Sequence, residues 1–241
     1  MKASSCWPIV AAFLCALSCY GTTIIVMRTA DGILVAADSK VVGRGSKSPP
    51  RCKIHQYGNV FVSIAGISKR EGVGLDTERV VSTAVATKGP LLSKVEAFRV
   101  AASKYLFADV ENVKKSSPAL FERDYRGKRI LDVTFASVNG DMPEAVIQTF
   151  FVDGAGTLHD LRSPLGDHRV LVTGMTNAIK SYTDQNSEWY TELDPDVAIK
   201  KLMELEIASN KDAVGPPVSI LEMTKVGARW VEQGACPAIR N

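Results

Sequence analysis

Histidine is scarce in this chain of 241 residues. Its three copies, His55, His159 and His168, are scattered without partners, and no cluster of metal-ligating residues accompanies them. A metal centre is therefore not expected. There is no Gly-x-Ser-x-Gly elbow, which excludes the usual nucleophile turn of a serine hydrolase. Gly72, Gly74 and Gly89 are not arranged as a phosphate loop, so no cofactor is expected. Charge of one sign is lacking too. A formal net charge of +3 gives no electrostatic case for nucleic acid or an anionic membrane surface. No linker rich in Pro, Gly or Ser divides the chain, and no repeat with a period of about 20–50 residues is visible. What is present, 46% hydrophobic and 23% charged residues, suits one globular domain.

Long apolar runs are confined to the N-terminus. Met1-Lys2 is a small positive start, and Trp7 to Tyr20 is almost wholly apolar. This run is too short for a transmembrane helix and fits the core of a signal peptide. The expectation is an exported protein with residues 1–21 removed and a single domain over residues 22–241. The alternative is an intracellular chain with an apolar propeptide. A cut after Gly21 exposes Thr22, whereas a cut after Ser18 leaves three residues for later self-removal. Ala16-Leu17-Ser18-Cys19 also has a faint lipoprotein character, and lipidation at Cys19 would block Thr22 unless a second cut followed. Three of the five cysteines lie in this leader, leaving Cys52 and Cys236. These two either pair, as export allows, or stay as free thiols.

Thr22 stands where the leader ends and a β-branched run begins. A threonine that becomes N-terminal carries a hydroxyl nucleophile and an amine base on one residue. The α-amine has an ordinary pKa of about 7.7–8.0, so it accepts a proton near neutral pH.

Strands are expected from Thr22 to Arg28, Ile33 to Ala37, Lys53 to Gln56 and Val60 to Ala65, joined by Asp31-Gly32 and Gly58-Asn59 turns. Helices follow over Glu71 to Thr87 and Leu91 to Lys114. The second shows a stripe at Leu92, Val95, Phe98, Ala102, Leu106, Val110 and Val113. Strands return over Ile130–Val138, Ala145–Val152, Thr157–Leu161 and Arg169–Thr173. Two more helices span Asn177–Thr183 and a segment opened by Asp194-Pro195, an N-cap followed by proline. Val218–Thr224 and Ala228–Val231 close the chain as strands. Runs of strands separated by helix pairs predict an α+β layer structure with face-to-face sheets and outer helices.

This order resembles the N-terminal-nucleophile hydrolases of the proteasome β-subunit type, threonine peptidases of αββα sandwich fold. Three stretches carry the resemblance. The first is Thr22-Thr23 through Gly32-Ile33-Leu34-Val35-Ala36-Ala37-Asp38-Ser39. The second is Lys53 followed by Val60-Phe61-Val62-Ser63-Ile64-Ala65-Gly66, and the third Lys211-Asp212-Ala213-Val214-Gly215. The resemblance implies that Thr22 is the nucleophile, Lys53 a cation beside it, and Asp38 the partner that holds Lys53. It also implies that the Gly66 N–H forms an oxyanion hole and that Asp212 orients the N-terminus. The family's supporting serines are replaced. One position falls near Gly215 and the other at Val172-Thr173-Gly174-Met175-Thr176, where Thr173 or Thr176 is the candidate substitute. Lys53 also lies slightly closer to Thr22, and Gly66 to Lys53, than in the family.

The function these readings imply is a threonine-type endopeptidase acting through an acyl-enzyme, with a peptide or amide substrate. Ring-like assembly of identical copies is implied by the resemblance only. The alternatives are an amidase or acylase of the same fold acting on a small molecule, and a non-catalytic assembly or binding module.

Overall fold

A computed structural model describes residues 21–41, 48–139, 142–166, 169–186, 189 and 193–240. The leader, apart from Gly21, and His168 lie outside the described residues, as does most of the 40–50 loop.

The chain opens with β1 (Thr23–Arg28) and β2 (Gly32–Asp38), an antiparallel pair in which Ile25 faces Ala36. A second pair, β3 (Ile54–Tyr57) and β4 (Val60–Gly66), follows in a different sheet. A short ribbon comes next, β5 (Lys69–Arg70) and β6 (Leu75–Asp76), with a single helical turn between them. The expected helix from Glu71 is thus delayed: α1 spans Thr77–Val85, capped by the Asp76 carboxylate accepting the Arg79 N–H at 3.1 Å. Gly72 and Gly74 weaken helix propensity in that first stretch, and the Asp76 cap sets the start.

The long helix α2 (Leu91–Ser116) buries Leu91, Val95, Phe98, Ala102, Leu106, Val110 and Val113. The stripe is as expected except at its start, where Leu91 is buried and Leu92 is 47% exposed. A short helix that the sequence reading omits, α3 (Pro118–Asp124), begins at the proline and packs Phe121 inward. Strands β7 (Lys128–Asn139), β8 (Met142–Val152), β9 (Leu158–Pro164) and β10 (Val170–Gly174) precede α4 (Asn177–Gln185) and α5 (Pro195–Ser209). Asp194 holds the N-cap position of α5, but its side chain makes no capping hydrogen bond. The chain ends with β11 (Val218–Thr224) and β12 (Gly227–Glu232).

Two five-stranded antiparallel sheets result, ordered β10-β1-β2-β11-β12 and β3-β4-β7-β8-β9. Alternation along each strand decides what it buries. Ile24, Val26, Val35 and Leu221 of one sheet share a cluster with Phe61, Ala65 and Ala136 of the other. The opposite side of the first sheet, including Ile25, Leu34 and Ile220, packs on Ile199, Leu202 and Met203 of α5. Val62, Phe135 and Phe150 of the second sheet pack on Val95, Phe98 and Ala102 of α2. Cys52 and Cys236 form a disulfide across 184 residues of sequence. It ties the segment before β3 to the C-terminal tail. No helix among the described residues is long and apolar enough to cross a membrane.

Candidate active site

Thr22 sits one residue before β1 and is 6% exposed. Its carbonyl accepts the Met175 N–H at 2.8 Å. Thr23 donates its N–H to Asp38 Oδ1 at 3.0 Å and its hydroxyl to the Met175 carbonyl at 2.8 Å. The strand register explains this grip. Thr23 lies opposite Gly174, so the chain leaving β10 turns across Thr22. Gly174 has φ +80°, and a Cβ there would stand 1.9 Å from the Thr22 carbonyl oxygen. Only glycine permits so close a passage.

Asp38 ends β2 and is fully buried. Its carboxylate accepts backbone N–H groups of Thr23, of Lys40 at 3.1 Å and of Gly215 at 3.4 Å. Lys53 Nζ lies 2.9 Å from each carboxylate oxygen. Burial raises the Asp38 carboxyl above its ordinary pKa, and the Lys53 charge and the N–H donors oppose that rise. The same Lys53 ammonium donates to the Gly21 carbonyl at 2.9 Å. It therefore bridges Asp38 and the peptide bond that joins Gly21 to Thr22.

The other expected residues are placed unequally. Gly66 ends β4 opposite Leu131, with φ +106°, and a Cβ there would meet the Ile130 carbonyl oxygen at 2.4 Å. Close packing thus demands this glycine in its own right. Its neighbour Ala65 touches the position a Gly174 Cβ would take, which puts the end of β4 beside the turn that holds Thr22. Asp212 makes no hydrogen bond to Thr22 among the described residues. It is exposed in the turn after α5, and its carboxylate makes no hydrogen bond or ion pair among the described residues. Thr173 is buried with its hydroxyl unpartnered among the described residues. Thr176 is buried at the N-cap position of α4, without a side-chain cap bond. Neither hydroxyl is hydrogen-bonded to Thr22. His159 is not partnerless as expected: its Nε2 lies 2.8 Å from Asp153 Oδ2, and its ring stacks on Phe151.

Three residues hold this region in roles that were not read from the sequence. Met175 and Gly215 act through backbone groups, which leave no side-chain signal. The third is Asp132 on β7, 3% exposed, which accepts the Thr149 hydroxyl at 2.6 Å and the Gly174 N–H at 3.4 Å. A lone carboxylate inside the apolar run Ile130–Val138 was a visible signal for it.

No protein-family model matches this chain, and no curated protein matches it. Among solved structures it is similar to Anbu (ancestral beta-subunit) from Yersinia bercovieri. The identity is 14% and the TM-score 0.53, covering 88% of this chain and 87% of that one. The likeness is one of fold. It corrects the family assignment drawn from the motifs: without a matching family model or curated relative, membership among the proteasome β-subunit-type threonine peptidases is not supported. Motifs of a few residues do not by themselves establish descent within that family.

Proposed function

We propose that this chain hydrolyses amide bonds with Thr22 as nucleophile, once cleavage of the Gly21–Thr22 bond has made Thr22 N-terminal. The observation that carries the reading is the position of Lys53, held between the buried Asp38 carboxylate and the Gly21 carbonyl. A cation fixed beside that oxygen favours negative charge there. When residues 1–21 leave, the freed α-amine of Thr22 takes the hydroxyl proton as Oγ1 attacks the substrate carbonyl. The tetrahedral intermediate collapses as the amine donates that proton to the leaving nitrogen. An ester on Thr22 remains, and water hydrolyses it by the same base. The Gly66 N–H is the oxyanion donor in this reading. Asp212 is left out of it.

The layering we propose is helices, sheet, sheet, helices. Three buried clusters support it, one between the sheets and one on the outer side of each. We propose further that the protein is exported, and the Cys52–Cys236 disulfide supports an oxidising compartment.

The test is the N-terminal sequence of the protein isolated from its own host, together with turnover of peptide and small-amide substrates by Thr22→Ala. A start at Thr22-Thr23-Ile24 and loss of turnover with an unchanged circular dichroism spectrum are expected. A mature chain beginning at Cys19 or keeping its leader would lack the amine base and would overturn the reading.

A further inference from the structure

The backbone around Thr22 is clamped from two sides by two buried carboxylates. Asp38 holds the Thr23 N–H and is neutralised by Lys53. Asp132 has no such cation: among the described residues its hydrogen bonds come from the Thr149 hydroxyl and the Gly174 N–H. A buried carboxylate without a counter-charge is costly, and a strand position facing the other sheet would be filled more cheaply by an apolar residue. Its surroundings underline the point. Ala65 is its register partner on β4, one residue before Gly66, and Thr149 is its partner on β8.

We infer that Asp132 is a positioning residue for Thr22, acting through the turn at Gly174–Met175. The inference rests on the hydrolase reading above. The chain of contacts is short. The Thr149 hydroxyl orients the Asp132 carboxylate. Asp132 accepts the Gly174 N–H across the space between the two sheets. The next residue, Met175, grips the Thr22 carbonyl with its N–H and the Thr23 hydroxyl with its C=O. Gly174 itself passes against the Thr22 carbonyl with no room for a Cβ. A nucleophile built on the first residue of a chain has no preceding backbone to hold it after cleavage. Its alignment depends on these few bonds, and a displacement of about 1 Å at a reacting group can cost about 100-fold in rate.

The role assigned is geometric, which predicts an unusual pattern of variants. In Asp132→Asn the amide oxygen still accepts the Gly174 N–H. The amide nitrogen donates to the Thr149 oxygen once that hydroxyl rotates. This variant is expected to keep kcat within about threefold. Asp132→Ala is expected to lose about 100-fold in kcat with little change in KM. Its Gly174 amide should also exchange its hydrogen about five- to tenfold faster than in the unsubstituted protein. Thr149→Val, which removes only the orienting hydroxyl, covers the case in which Asp132→Ala does not fold, with an expected loss of about tenfold.

An Asn variant as inactive as the Ala variant overturns the inference, because the charge and not the hydrogen bond would then matter. Unchanged Gly174 exchange and unchanged kcat in Asp132→Ala, or in Thr149→Val where it stands in, also overturn it while Thr22-dependent turnover leaves the hydrolase reading intact. Conversely, a protein without Thr22-dependent turnover whose Gly174 exchange still responds to Asp132 overturns the hydrolase reading and upholds the anchor.

Discussion

Lys53 Nζ is equidistant from the two carboxylate oxygens of Asp38, 2.9 Å from each, with the lysine side chain 13% and the aspartate 0% exposed. This pair joins the segment before β3 in one sheet to the end of β2 in the other. Both partners are shielded, so removing one leaves an uncompensated charge. Lys53→Ala is expected to abolish turnover and to lower stability by about 3–5 kcal/mol, measured by urea denaturation. A variant with full turnover would show that the lysine stands outside the chemistry.

Acidification should act through Asp38. Its folded pKa lies above the ordinary 3.8, because burial disfavours the carboxylate. The carboxylate is the form that holds Lys53, so below the limb set by the Thr22 amine base a second proton should remove the remaining activity, on a limb centred above that of an ordinary aspartate. The stability effect has the opposite sign. A raised folded pKa means that the native state binds this proton more readily than the unfolded chain. Ionisation of Asp38 therefore subtracts stability as pH rises from 3.8 through the folded value. A kcat/KM profile alongside thermal melts over the same range separates the two. A one-proton fall set by the amine alone, or a second limb at or below the ordinary aspartate value, would show that Asp38 does not govern activity.

The disulfide closes a loop spanning 184 positions of sequence. In the chain-entropy account a loop of that size contributes about 5 kcal/mol, at the top of the usual range. The double variant Cys52→Ser, Cys236→Ser should lose stability toward that figure, and reductant should lower the melting temperature of the unsubstituted protein alone. Equal melts with and without reductant would mean that the bond contributes nothing to the fold.

Gly174 and Thr173 should respond in opposite ways. Gly174→Ala places a methyl group against the Thr22 carbonyl at a positive φ, so turnover should fall by at least about 100-fold. Thr173→Val replaces a buried hydroxyl that has no partner among the described residues. It should be neutral or stabilising by about 1 kcal/mol, with turnover retained. A loss of turnover at Thr173 would show that this hydroxyl supports the site in place of the family's serine.

Much of the architecture was legible in local sequence. β-Branched runs read as strands, and Val218–Thr224 forms over the span expected for it. The three- and four-residue spacing of apolar side chains read as α2. Thr22 stood out because an apolar leader stops one residue before a strand, and Asp38 because an apolar run ends on a carboxylate. Local patterns were weaker where punctuation competed with periodicity. Glycines at 72 and 74 turned the expected helix start into a ribbon, and Pro118 began a helix between the expected helix ending at Lys114 and the strand from Ile130.

By itself, then, the sequence determined the main strands, the long helix α2 and most of the faces they bury, since those follow from periods of two and 3.6 residues. Only the tertiary structure decided what meets Thr22. The pairing of β10 with β1 brings Met175 and Gly174 onto it from some 150 positions away. The facing of the two sheets brings Asp132 to Gly174 and Lys53 to Asp38, and it leaves Asp212 in solvent. Contacts between strands distant in sequence are set by register and burial across the whole domain, and no local pattern encodes them.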